Sequence, residues 1–183
     1  MDWYYYIAAS SNITDQLQEL AFILPKDRFN IFKAFHGLGN LYLYQGKLEE
    51  AEEMYQQALA GKEKVLGPNH ISTLDTTNSL GLLCFDQGKL KEAEEMYQQA
   101  LAGKEKALGP GHTSTLGIVN NLGNLYKNQG KLKEAEEMYQ RALAGYEKAL
   151  GSDHSTTPFA MSKTALATSI LPPLPPQLHT YWG

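Results

Sequence analysis

Residues 45–70 read QGKLEEAEEMYQQALAGKEKVLGPNH, and residues 87–112 repeat this stretch with 23 of 26 positions identical. A third copy at 129–154 differs from the second at four positions, so one sequence returns every 42 residues. Self-similarity at a fixed period is the signature of a repeat architecture, in which each unit is one supersecondary element. We place the three repeat units at 35–76, 77–118 and 119–160.

Apolar residues within each unit follow the period of an α-helix. In the first copy Leu48, Ala51, Tyr55 and Ala58 recur at steps of three and four, which places them on one helix face. Ala, Glu, Gln, Leu and Lys, which favour helices, dominate the second helix of each predicted pair. Each unit therefore predicts a pair of helices. The six predicted helices span 28–45, 48–66, 72–86, 89–108, 114–128 and 131–150.

Capping signals mark the ends of these helices. Gly46 stands where the residue after a helix turns into the left-handed region, and Gly67-Pro68 ends the second helix of the pair. Ser72, with Asp75 three residues later, predicts the N-terminal cap of the next helix. The turns between helices are therefore expected to be short and similar in every unit.

Two glycines also lie inside the helices of every unit, where glycine costs about 1 kcal/mol relative to alanine. For the glycine of the first helix we expect a close crossing with a buried alanine twelve positions later. These pairs are Gly39 with Ala51, Gly81 with Ala93 and Gly123 with Ala135. For the glycine of the second helix, tight contact with the next repeat is one option, and the sequence offers no firm reason. These residues are Gly61, Gly103 and Gly145.

The composition argues against several classes of function. Sixteen basic and twenty acidic side chains give a net charge of −4, which argues against nucleic-acid binding. No apolar stretch reaches the roughly 18 residues of a membrane span, and one cysteine excludes an internal disulfide framework. No nucleophile, base and orienting residue come together, so we predict a protein that is not an enzyme and needs no cofactor. No secretory signal is recognised near Met1, and a cytoplasmic location is expected.

Recurring histidines, a single cysteine and clustered glutamates are the tempting sites in this sequence. His70, His112 and His154 occupy equivalent loops one repeat apart, so they cannot ligate one ion, and we predict no metal site. Cys84 is expected to be a small core residue. The glutamates of the second helices are expected to form a solvated face.

Several motif positions resemble the tetratricopeptide repeat. Its Leu-Gly-x-x-Tyr motif is present at 38–42 and 122–126, with Cys84 in place of the tyrosine in the second copy. Its later alanine and aromatic positions match Ala51 and Tyr55. The 42-residue period is similar to that of kinesin light chains and of repeat arrays in fungal sensor proteins. Neither the heptad coiled coil of the first group nor the phosphate-binding loop of the second is present, so motor-adaptor function is not expected.

The resemblance implies an all-α fold, a right-handed α-solenoid of three helix-turn-helix repeats whose first helices line a concave surface. It also implies that an extended peptide or a protein partner binds there. Asparagine amides can pair with a peptide backbone, apolar residues would offer pockets, and Lys33 and Lys127 favour an acidic ligand. The predicted groove residues are Lys33, His36, Asn40, Leu43, Asn78, Leu82, Phe85, Asn120, Asn124, Lys127 and Asn128.

Three segments make up the predicted domain organisation. Residues 1–30 form an N-terminal segment with a capping helix, residues 31–154 hold the repeats, and residues 155–183 form a tail with a short helix and a Pro-rich disordered end. Two functions stay open. The chain is either an interaction module or a structural spacer, a fragment of a larger sensor or adaptor protein without a groove ligand. End-to-end self-association also stays open, because the terminal repeats of a solenoid need polar caps.

Overall fold

The structure is a computed structural model that describes residues 28–150, with side chains described for 30–149. All regular structure in these residues is helical. The helices are α1 (Arg28–Tyr44), α2 (Leu48–Leu66), α3 (Ile71–Asp86), α4 (Leu90–Leu108), α5 (Thr113–Asn128) and α6 (Leu132–Leu150). Every predicted helix is therefore confirmed, with its ends within one residue of the predicted ones.

The helices pack in consecutive pairs, as the repeat predicts, and in the structure we call each pair one repeat: α1 with α2, α3 with α4, and α5 with α6. Helix α1 packs against α2, α3 against α4 and α5 against α6, and α2 also packs against α3. The chain divides into two compact units between Gly109 and Pro110, so that α1–α4 belong to the first unit and α5 and α6 to the second. The predicted N-terminal capping helix, the C-terminal tail and His154 lie outside the described residues.

Small and aromatic residues of the second helices form the centre of the core. The recurring alanines Ala51, Ala93 and Ala135 are fully buried, as are the tyrosines Tyr55, Tyr97 and Tyr139. In the first unit, Ala51 and Tyr55 cluster with Leu80 and Leu83 of α3. Helix α2 thus packs its apolar residues against two helices, its pair partner α1 and the following helix α3.

The glycine of each first helix makes room for a tyrosine, and the predicted crossing with alanine is wrong as its cause. A Cβ atom built on Gly39 would lie 2.5 Å from the ring of Tyr55. The same atom on Gly123 would lie 2.6 Å from the ring of Tyr139. Real Cβ atoms do not approach other atoms so closely. The ring therefore lies flat on the backbone of the first helix, which outweighs the helix propensity that glycine forgoes.

The glycine of each second helix packs against its own repeat, and not against the next repeat as the sequence had left open. A Cβ atom on Gly61 would lie 2.1 Å from the ring of Phe32, and one on Gly103 would lie 2.6 Å from the Leu74 side chain. Gly145 faces Leu116 in the same way, at 2.5 Å. In every pair of helices, therefore, each helix has a glycine that leaves room for a side chain of the other helix.

Histidine caps α3 and α5, so the prediction that Ser72 is the cap of α3 is wrong. The Nδ1 atom of His70 accepts a hydrogen bond from the backbone N–H of Ser72 at 3.1 Å. His112 repeats this with the N–H of Ser114 at 3.2 Å. The cap lies two residues earlier than predicted because an imidazole nitrogen reaches the free donors of the first turn as a serine oxygen would.

Candidate functional site

Two neighbouring helices of the first unit carry the predicted groove residues of the first two repeats. Each helix presents four positions with spacings of three, four and three, and we call these eight residues the first-helix face. They are Lys33, His36, Asn40 and Leu43 on α1 and Asp75, Asn78, Leu82 and Phe85 on α3. The Nδ1 atom of His36 lies 3.0 Å from Oγ1 of Thr76, forty positions later. That spacing is close to the repeat period, so α1 and α3 lie side by side at nearly the same level.

Asparagine side chains of this face are already engaged in the fold. The Tyr55 hydroxyl donates to Oδ1 of Asn40 at 2.7 Å, and the Tyr139 hydroxyl donates to Oδ1 of Asn124 at 2.8 Å. Both asparagines are otherwise exposed. Their amide NH₂ groups therefore point to the outside as donors, while the carbonyl oxygens help to hold the helix pair together.

The other predicted residues differ in how far they are accessible. Lys33, Leu82, Lys127 and Asn128 are exposed. The half-buried ones are His36, Leu43, Asn78 and Phe85. Asn120 is only 7% exposed, so this asparagine belongs to the interior more than to an open surface. The residues of α5 lie in the second unit, whereas those of α1 and α3 come together in the first.

A buried lysine, which the sequence analysis missed, lies beside this face. Lys62 on α2 is 2% exposed, and its Nζ atom donates to Oγ1 of Thr76 at 2.8 Å and to the carbonyl oxygen of Ser72 at 3.2 Å. Within the described residues no carboxylate lies within ion-pair distance of it. The pKa of Lys62 is lowered to about 8, mainly by burial, while the charge of Asp75 opposes the shift and that of Lys33 adds to it.

A second buried lysine occupies the same position one repeat later. Lys104 on α4 is also 2% exposed, and it forms an ion pair with Asp75 on α3. The carboxylate of Asp75 is half exposed. Because both lysines lie close to Asp75, this end of the first-helix face has more positive than negative charge.

Histidine is neutral at this end of the face. Burial lowers the pKa of His36 to about 4, the nearby charge of Lys62 adds to the shift, and Asp75 opposes it. Its ring also lies 5.6 Å from that of Tyr55. His36 therefore joins α1 to α3 as an uncharged hydrogen-bonding group, in contact with the buried lysine through Thr76.

The third repeat replaces this chemistry. Tyr146 stands where Lys62 and Lys104 stand, and Gly117 stands where Lys33 and Asp75 stand. The Tyr146 hydroxyl is 3.4 Å from the carbonyl oxygen of Thr113, and a Cβ atom on Gly117 would lie 3.8 Å from it. The paired change from acid and lysine to glycine and tyrosine, 29 positions apart in each copy, is the signal in the sequence that could have identified the buried lysines.

The opposite end of the first-helix face is apolar. Leu82 is 37% exposed, and Phe85 and Leu43 are half-buried. Cys84, predicted to be a core residue, is half-buried, and burial raises the pKa of its thiol. The face of the first unit thus runs from a cationic end to an apolar end.

The other tempting residues have structural roles. His70 and His112 cap helices, and residues 28–150 contain no group of three or more His, Cys, Asp or Glu side chains arranged to hold a metal. Among the glutamates expected to be solvated, Glu52 is half-buried and accepts a hydrogen bond from Nε2 of Gln87 at 2.9 Å. None of the helices described is long and apolar enough to cross a membrane.

Models of the tetratricopeptide repeat match residues 30–106 and 115–156, which together cover more than half of the chain. The chain therefore belongs to the tetratricopeptide repeat family, and the predicted solenoid of helical repeats is confirmed. Within that family it is of the kinesin-light-chain-like type. Repeats of this family are generally non-catalytic and generally mediate interaction between proteins.

Solved structures with nearly identical repeats support this type. Two crystal structures of a Podosopora anserina protein assigned as a kinesin light chain, with nearly identical TPR-like repeats, match with 25% identity. Both matches cover 91% of this chain; they cover 79% and 80% of the other chains, with TM-scores of 0.71 and 0.69. BtubC (BKLC) from P. vanneervenii matches at 21% identity with a TM-score of 0.74, over 86% of this chain. This chain spans 64% of the length of that protein. No curated protein matches the chain.

Proposed function

We propose that the chain binds an extended peptide, or an extended segment of a partner protein, along its first helices. The observation that carries this proposal is the two-ended first-helix face of the first unit, cationic near Lys33 and apolar near Leu82. An exposed surface that combines charge, amide donors and apolar side chains suits a peptide better than a small metabolite. The concave surface of a solenoid is the usual place for such a ligand.

Charge favours an acidic group on the ligand. Lys33, Lys62 and Lys104 supply three ammonium groups near the carboxylate of Asp75. Two of these lysines are buried, and an opposite charge brought close to them would be attracted more strongly than at an open surface, because water screens it less. An acidic residue of the partner would therefore contribute most at this end.

The remaining groove residues belong to the proposal with different roles. The NH₂ groups of Asn40 and Asn124 are available as donors because tyrosine holds their carbonyl oxygens. Lys127 and Asn128 are exposed on the second unit, whereas Asn120 is expected to act mainly within the fold.

A peptide array probed with the full chain tests the proposal. The array holds ten-residue peptides that pair acidic residues at one end with apolar residues at the other, together with neutral versions. The best peptide is then measured by fluorescence anisotropy against Lys33→Glu and against Lys64→Glu, a matched change at an exposed lysine of α2. We expect Lys33→Glu to weaken binding about tenfold and to reduce its salt dependence, while Lys64→Glu leaves both unchanged.

Two results would contradict the proposal. Equal losses in both variants would mean that binding follows net charge only. Failure of every peptide to bind would favour the alternative function, a structural spacer or a fragment of a larger sensor or adaptor.

Sedimentation equilibrium of the full chain measures self-association in the same samples, and a mass that rises with concentration would favour end-to-end contact. A cytoplasmic location and the three-segment domain organisation stay predictions.

A further inference from the structure

Tyr97 of the second repeat lacks the hydrogen bond that its two equivalents make. The hydroxyls of Tyr55 and Tyr139 donate to Asn40 and Asn124. In the second repeat Leu82 occupies the asparagine position, and its side chain has no acceptor. Within residues 28–109, the part of the chain that holds it, the Tyr97 hydroxyl makes no hydrogen bond.

The position of the Tyr97 ring is otherwise preserved. A Cβ atom on Gly81 would lie 2.8 Å from this ring, close to the distance at the equivalent glycines. Because the ring is held in the same way, its hydroxyl reaches the level of Leu82 on the first-helix face. Among the described residues this hydroxyl is not one of the buried polar atoms left without a partner, so it keeps access to the first-helix face and can donate to a group outside the fold.

The residues around this hydroxyl indicate which kind of group would accept its hydrogen bond. Burial and the neighbouring Asp86 and Cys84 raise the pKa of Tyr97, so the hydroxyl remains a donor. The carboxylate of Asp86 would repel a second carboxylate, which leaves a neutral oxygen as the better acceptor. Next to it, Leu82 and the half-buried Phe85 offer an apolar contact.

We propose that the second repeat carries a subsite for one apolar residue of the bound peptide. The side chain of that residue packs on Leu82 and Phe85, and its backbone carbonyl accepts a hydrogen bond from the Tyr97 hydroxyl. In the first and third repeats the asparagine fills the same position from within the chain. The subsite rests on the proposed function, since it lies on the first-helix face and takes part of the same ligand.

Variants at these two positions test the subsite, with a ten-residue peptide of acidic residues and one leucine as the probe. Tyr97→Phe is expected to weaken binding about fivefold, because one neutral hydrogen bond is lost. Leu82→Asn is expected to weaken binding at least as much. The new amide oxygen would accept the hydrogen bond of the Tyr97 hydroxyl, as in the other repeats, and the hydroxyl would no longer be available to the peptide. In the Leu82→Asn background, Tyr97→Phe should then have no further effect on affinity.

Thermal unfolding separates this role from a purely structural one. Tyr97→Phe should leave the melting temperature unchanged and Leu82→Asn should raise it, whereas the matched Tyr55→Phe should lower it, because Tyr55 loses its bond to Asn40. If Tyr97→Phe and Leu82→Asn leave peptide affinity unchanged while Lys33→Glu still weakens it, the subsite is wrong and the proposed function stands. If the wild-type chain binds no peptide of the array, both are wrong.

Discussion

The first and second units of the molecule treat one repeat position in opposite ways. In the first unit Lys104 is buried and paired with Asp75, and in the second Tyr146 is buried beside Gly117. The helices around the two sites have the same lengths and nearly the same sequences. The duplicated helices therefore keep the same packing, while the residues at two facing positions change together, from Asp75 and Lys104 to Gly117 and Tyr146.

Lys62 in the first repeat shows a third solution. Its partner position on α1 holds Lys33, which repels it, so Lys62 turns to the oxygens of Ser72 and Thr76 on the next first helix. This contact joins two repeats, whereas Lys104 and Tyr146 stay within their own. The same position of the repeat therefore contacts a neighbouring repeat or stays within its own, according to the residue that faces it.

The largest expected effect comes from breaking the acid–lysine pair. Asp75→Gly, which installs the residue of the third repeat, should lower the free energy of unfolding by about 3 kcal/mol, because Lys104 loses its carboxylate in a buried place. Urea denaturation followed by circular dichroism measures this change. The double variant with Lys104→Tyr recreates the third-repeat pair and should recover about 2 kcal/mol of the loss. Strictly additive effects of the two single changes would contradict the view that these positions act as a pair.

A smaller effect separates two glycines of the same helix. Gly123→Ala in α5 should destabilise the protein by about 2 kcal/mol, because the new methyl group overlaps the ring of Tyr139. Gly117→Ala, whose new atom meets only ordinary contact at 3.8 Å, should stabilise it by about 1 kcal/mol through helix propensity. Thermal and urea unfolding compare the two variants. Equal effects of the two changes would show that the close contact with the Tyr139 ring is not the reason for glycine at position 123.

The smallest effect concerns pH. The pKa of His36 is about 4 in the fold against an ordinary 6.5, so between these values the unfolded chain binds the proton more readily. Stability should therefore fall as pH decreases through this window, by about 1 kcal/mol between pH 7 and pH 5.5 from this residue. His36→Asn, the residue of the other two repeats, should remove this part of the pH dependence. An unchanged profile in that variant would contradict a buried, neutral His36.

Local sequence signals predicted the helices because their causes are local. The period of apolar residues and the glycines at turns act within a few positions, so both ends of every helix came within one residue of prediction. The buried lysines were missed because lysine is usually a surface residue, and its partners lie on another helix. The reason for the interior glycines was missed because it depends on which ring crosses the helix.

The sequence by itself determined the repeat, its period and the pairing of helices, since near-identical copies must fold alike and bury the same stripe. Only the tertiary structure decided what each copy of a position does. Whether a lysine at that position pairs with Asp75, bridges to Thr76 or is replaced by Tyr146 depends on neighbours on other helices. Likewise, Tyr97 differs from Tyr55 only through Leu82 on the adjacent helix. Burying a polar group is unfavourable unless it is hydrogen-bonded or ion-paired, and its partners come close only once the repeats are packed.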